Sequence, residues 1–259
     1  AALNGISIDE PAVNAAGLLW STQTRYLGVG AMVVGGLWAL VRLRTSLIQG
    51  IRAGALAYRK AREGGISRIA RTQHDIPMQW VGFALTVSVI PLYLIFNHIT
   101  GQPGVSAFMA VIMLVAGFLF SAVAAYMAGL VGSSNNPISG VTIATILSAA
   151  LLLLVFLGAD SPIGPAAAIL IGSVVCCAAA MAGDNLQDLK AGHLLGATPY
   201  KQQIVQGVGV ISAAAIIAPT LNLLLDAYGI GIPTQAQPEP LAAPQATLMA
   251  AVAQGVFQG

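Results

Sequence analysis

The chain has 259 residues, of which 57% are hydrophobic and 8% charged, with a net charge of +2. A soluble domain carries about one quarter charged residues, so this composition excludes a water-facing globule and fits a surface that faces lipid. The mean hydropathy of +0.82 makes the bilayer the first expected partner, and nothing in so small a net charge points to nucleic acid.

A spanning helix needs roughly 20 mainly apolar residues. In chain order the apolar runs predict six spans, over about 26–43, 77–96, 105–131, 141–157, 164–182 and 204–225. A seventh apolar stretch begins near Ala243. No ten-residue alternation of the kind that builds a membrane barrel is present. The expected fold is therefore all-α: a polytopic membrane helix bundle of about six transmembrane helices, with 1–259 as a single transmembrane domain. Abundant Gly and Ala suit close helix packing in lipid. The chain starts at Ala1 without an initiator Met or a signal-peptide pattern, and its last apolar stretch runs to Gly259. It reads as an internal part of a longer protein.

Lysine and arginine set the expected orientation. Arg44, Arg52, Arg59, Lys60, Arg62, Arg68 and Arg71 make 44–76 a basic loop, and basic loops stay on the cytoplasmic side. Alternation then places 97–104 and 158–162 outside and 183–203 inside. Lys190 and Lys201 fall in that inner stretch, while the two outer loops carry neither Lys nor Arg. The tail 229–245 is expected outside.

Two polar segments carry the candidate chemistry. The first, Gly129-Leu-Val-Gly-Ser-Ser-Asn-Asn-Pro-Ile-Ser-Gly140, lies between the third and fourth apolar runs. Pro137 lacks a backbone N–H and disfavours helix at Asn136. Ser133, Ser134, Asn135, Asn136 and Ser139 offer neutral donors and acceptors and are the candidate substrate-binding residues. Carriers build substrate sites from interrupted helices. Asn-Pro also starts ordinary turns, and spacing alone does not choose between the two.

The second segment is 183–203. Asp184 and Asp188 stand four apart, on one face of a helix, with Gln187 beside them. A carboxylate at the membrane boundary is costly and marks function, which makes Asp184 the candidate for proton coupling. Gln187, Asp188 and His193 are its candidate supports, His193 being either a structural residue or a proton relay. The competing reading is a solvated linker helix. Pro91 and Pro219 suggest kinks within the second and sixth spans.

Adjacent Cys176 and Cys177 lie inside an apolar run. They read as buried small hydrophobes rather than metal ligands or a disulfide. No phosphate-binding loop, dinucleotide turn, paired-cysteine zinc motif or His-Glu-x-x-His helix is present, so no catalytic residue, cofactor or metal is expected. An intramembrane aspartyl protease would need Gly-x-Gly-Asp, and the matching stretch is Met181-Ala-Gly-Asp184. The first glycine is missing, and Asp226 sits at a span end.

The segment Tyr26-Leu-Gly-Val-Gly-Ala-Met-Val-Val-Gly-Gly-Leu-Trp38 resembles a recurrent span of the bacterial oligopeptide-transporter (OPT) family and its yellow-stripe-like plant relatives. The first polar segment resembles the same family's Asn-Pro-Ile-Ser-Gly stretch. Gln187-Asp-Leu-Lys-Ala-Gly-His-Leu-Leu-Gly-Ala-Thr-Pro199 is similar to its Gln-Asp-x-Lys-Thr-Gly-Tyr-Leu-x-Gly-Ala-Thr-Pro stretch, with Ala191 for Thr and His193 for Tyr. Ala243-Pro-Gln-Ala-Thr-Leu-Met-Ala250 is also similar. The resemblance covers nearly the whole chain in order, and well under half of a full family member. It implies a secondary carrier in the bacterial inner (plasma) membrane. Protons would drive small peptides or peptide-like metal chelates inward, and the missing transmembrane helices would complete the cavity. A non-transporting structural membrane protein is the alternative.

Overall fold

The computed structural model describes residues 12–20, individual positions between 24 and 59, and 70–258 apart from 160, 232 and 236. Helix α1 is Ala12–Leu19. In the expected first span, the described positions between Leu27 and Arg42 are helical; the rest of 26–43 and most of the basic loop up to residue 69 lie outside the described residues.

From residue 70 the chain is continuous enough to read as helices. A short 3-10 turn at Arg71–Gln73 leads into α2, Met78–Thr100. There follow α3, Pro103–Val131, α4, Ile138–Leu157, and α5, Gly164–Leu194. Helix α6 is Pro199–Tyr228 and α7 is Pro244–Gln258. Prolines open these helices, where a missing N–H costs nothing. Glycines close them, as at Gly101, whose φ of 63° an L side chain rarely adopts. Helices α2 to α6 are each long and apolar enough to cross a membrane. Pro91 and Pro219 lie within α2 and α6, both of which continue through them.

The helix ends differ from those expected. Helix α5 continues past 182 to Leu194 through Asp184, Asn185, Gln187 and Asp188. Hydropathy marks where lipid ends; the backbone ladder needs no apolar side chain and continues until Gly196, at φ 75°.

Helix α5 is the centre of the bundle. Helices α3 and α4 both pack along it, α2 packs on α3, and α7 lies against α4 and α5. Met109, Phe120, Ile146, Leu153, Ile171 and Val175 are among the buried core side chains. Glycines in α5 let these neighbours in. Ile146 of α4 occupies the space a Cβ on Gly172 would need, and Phe257 of α7 does the same at Gly164. Without such notches the backbones could not approach this closely.

Helix α6 stands apart, with none of its residues buried. Among the described residues its first two turns are fastened to the strap and to α5, and its last carbonyls to Gln237. Arg71 Nη1 donates to Thr198 Oγ1 at 3.0 Å, and Tyr200 N donates to the His74 carbonyl at 2.9 Å. Gln203 accepts from Ile76 N at 3.1 Å and donates to Asp75 Oδ1 at 3.3 Å. The strap 71–76 is thereby tied to the α5–α6 turn. At the far end Gln237 donates to the carbonyls of Leu225 and Asp226, satisfying the last acceptors of α6. Helix α7 then sets Leu248 beside Ile143 and Phe257 at Gly164.

The strap, the α3–α4 turn and the α5–α6 turn share one end of the bundle, and the 101–104 loop lies at the other. We propose that the first end is cytoplasmic. In a background without Cys176 and Cys177, a cysteine at position 62 is expected to react with an impermeant maleimide only from the cytoplasmic side, and one at Gln102 only from outside. Labelling of both from the same side would contradict the arrangement.

Candidate substrate and coupling site

The first polar segment forms a tight reversal. Helix α3 stops at Gly132, whose φ is 85°. Residues Ser133–Asn135 form one 3-10 turn, and Asn136 is extended, with φ −66° and ψ 128°. That is the conformation a following proline demands. The Asn136 amide donates to Ser133 O at 3.2 Å, and Ile138 N donates to Asn136 O at 2.8 Å as α4 begins. Gly129 and Gly132 of the α3 end meet Leu186 and Gln187 of α5, so α3 runs parallel to α5. Asn136 and Ile146 meet Gly183 and Gly172, so α4 runs antiparallel to it. The segment is thus a hairpin turn between two spans rather than a break inside one helix.

This turn is seated on the second polar segment. The Nδ2 of Asn136 lies 2.5 Å from where a Cβ on Gly183 would stand, and the Ala128 Cβ lies 3.3 Å from the same point. Gln187 Nε2 reaches back to the Ala128 carbonyl, at 3.4 Å, near the end of α3. Two stretches separated by some fifty residues in sequence, and singled out independently, are therefore in contact.

The individual candidates are distributed unevenly. Asn136 and Ser139 are half-buried, whereas Ser133 and Ser134 are exposed. The side chain of Asn135 lies outside the described residues. Asp184 is on the exposed side of α5, as is His193. Asp188 faces α6: its Oδ2 accepts from Gln206 Nε2 at 2.8 Å, and its carbonyl accepts from Gln202 Nε2 at 3.0 Å. The Gln202 carboxamide lies against Gly192, in the space of its missing side chain. Asp226 is not gathered with Asp184. Twenty residues of α6, about 30 Å at 1.5 Å per residue, separate it from Gln206.

Other side chains at this end escaped the sequence reading. Among the described residues, the side-chain oxygens of Asn136, Asn185, Gln202 and Gln206 are buried and have no hydrogen-bond donor. Asn185 opens onto an apolar groove of about 590 Å³ between α2, α3 and α5, in which Ser88 and Ser121 are the other polar residues. Gln202 and Gln206 are four apart on one face of α6, a spacing visible in the sequence. Cys177, expected to be buried, is exposed on α5, and Cys176 is half-buried. Both remain free thiols. The helix carries them past its core-facing stripe of Ile171, Val175 and Ala179.

Residues 10–259 match the family described as OPT oligopeptide transporter protein. The chain belongs to that family. A curated protein of Haemophilus influenzae, named "Putative oligopeptide transporter", is 32% identical over 97% of this chain. The chain spans 42% of that relative's length. No solved structure matches it. The OPT match takes in both polar segments and all five described spans, so the hairpin seated on α5 is part of the family domain of this multi-pass integral membrane protein.

Proposed function

We propose that the full-length OPT protein is a carrier in a bacterial plasma membrane. It moves small oligopeptides, or peptide-like metal chelates, inward with protons as the coupling ion. The observation that carries this reading is the seating of the Asn136 turn on α5, one residue before Asp184. A polar turn and a titratable carboxylate are parts a coupled carrier can use, and here the Asn136 carboxamide lies against Gly183, the residue next to Asp184.

The chemistry of the orphan oxygens supports a peptide cargo. Carboxamide oxygens accept hydrogen bonds, and a peptide backbone presents N–H donors in series. A buried acceptor left unpaired costs about 1–3 kcal/mol, so a donor delivered by substrate at Asn136 recovers that penalty. Asp184, on the free side of α5, is the proposed proton carrier. Asp188, bonded to Gln206, is proposed to hold α6 to α5. The unburied length of α6 is proposed to pack on further transmembrane helices of the longer protein, which the relative's greater length provides.

Asn136→Ala in the full-length protein tests the site. Uptake of tripeptides is expected to fall by roughly 5- to 150-fold, the equivalent of one unpaired polar group, with the amount of protein in the membrane unchanged. The same panel includes metal chelates, and whichever class loses uptake is the cargo held at Asn136. Uptake equal to wild type for both classes would reduce the turn to a structural connection.

A further inference from the structure

We propose that Gly183 is a positioning residue, and that its contact with the Asn136 carboxamide couples the α3–α4 turn to Asp184. This rests on the carrier reading given above. As seated, the Asn136 carboxamide occupies the space that a Cβ at position 183 would take. With Asn136 Nδ2 2.5 Å and Ala128 Cβ 3.3 Å from the Cβ point of Gly183, a methyl group there must push the Asn136 carboxamide out of its seat, and α3 must also yield by a few tenths of an ångström.

The turn is keyed to this stretch of α5 in more than one place. Leu186 Cδ2 lies 3.2 Å from the Cβ point of Gly129, and Gln187 Nε2 lies 3.7 Å from that of Gly132. Gln187 also donates to Ala128 O. Positions 183, 186 and 187 therefore face the turn, while Asp184, between them in sequence, faces away and is exposed. Gly183 and Asp184 share a peptide bond within one hydrogen-bonded helical turn. A displacement of the turn, as when a substrate engages Asn136, bears on the backbone before Asp184 through the Asn136 carboxamide, the Ala128 Cβ and the Gln187 bond together. One turn further, Asp188 passes the same movement to α6 through Gln206. The link is a contiguous set of packed atoms between two proposed sites, and whether it carries energy is decided by the coupling measured between variants at its two ends.

The test uses the full-length protein in proteoliposomes, with trialanine as the probe and two readouts: accumulation driven by a pH gradient, and exchange at equal pH. Gly183→Ala is expected to lower the ratio of accumulation to exchange by about tenfold. Asn136→Ala removes the same contact from the other side and should lower the ratio similarly. In the double variant the ratio should fall no further than in either single variant, within about twofold. Gly183→Ala with a wild-type ratio, or losses that multiply in the double variant, would overturn the inference. So would a loss of Gly183→Ala protein from the membrane that Asn136→Ala does not restore, because Gly183 would then be packing alone. Asp184→Asn is the control that separates the two levels. If it still accumulates trialanine, the proton reading itself fails. If it does not, and Gly183→Ala is silent, only the coupling contact fails.

Discussion

Asp184→Asn is expected to abolish uphill accumulation of peptide driven by a pH gradient, while exchange of substrate across the membrane persists. The carboxamide keeps the shape of the side chain and cannot carry the proton. Coupling requires the proton and the substrate to move in one cycle, so a site that stays neutral lets the carrier cycle with substrate alone. Exchange needs only that half of the cycle. Asp188→Asn is expected to behave differently. Its side chain accepts from Gln206 on α6 at an exposed position, where water competes and such a bond is worth about 0.5–1.5 kcal/mol. Weakening it should change accumulation and exchange together, or neither. If Asp184→Asn still concentrates peptide against its gradient, the coupled proton is carried elsewhere.

Gly172→Leu is expected to have the largest effect on the fold itself. Ile146, a fully buried side chain of α4, already occupies the position of a Cβ at Gly172. A leucine there must force α4 and α5 apart along their main line of contact. Overpacking of a tight core costs about 1–3 kcal/mol and sometimes more. Near 172 the contact is backed by Ala149, Ala168 and Ile171, all buried, so little room remains to relax. The expected result is a lower midpoint of thermal unfolding in detergent and a lower yield of folded protein. Gly172→Ala should show the same trend more weakly, and Ile146→Ala in the same chain should recover much of that loss. An unchanged midpoint for Gly172→Leu would mean that Ile146 does not pack into α5 at this level.

The spans were legible in the sequence because lipid demands about 20 apolar residues in succession, and the runs near 77–96, 105–131, 141–157, 164–182 and 204–225 each meet that demand. The ends of the helices were less legible. The polar stretch 183–194 leaves the apolar pattern without leaving the helix, and Pro199 rather than the first apolar residue opens α6. Packing was less legible still. A helix that is apolar on all sides carries no stripe to show which face is buried, so Gly164, Gly172, Gly183 and Gly192 identify α5 as notched without naming what fills each notch.

The candidate site divides along the same line. Asn136, Gln187 and Asp188 stood out as polar residues in an apolar chain, and each makes a close contact across helices in the fold. That Asn136 meets Gly183 required the hairpin, and that Arg71 meets Thr198 required bonds across 127 residues. Asn185, Gln202 and Gln206 were less legible as site residues, because a neutral carboxamide stands out less against an apolar chain than a charged side chain does. A carboxamide buried beside α5 or α6 still costs about 1–3 kcal/mol to leave unpaired, and such residues are visible in the sequence once a peptide cargo is considered.

The most direct measurement is made on the purified full-length protein in sealed liposomes that hold a pH-sensitive dye. Addition of a tripeptide outside, without any imposed gradient, is predicted to acidify the lumen as peptide and protons enter together, and Asp184→Asn protein should take up peptide with no acidification. Peptide entry through the wild-type protein with no change in lumenal pH, or no entry of either a peptide or a peptide-like metal chelate, would contradict the account.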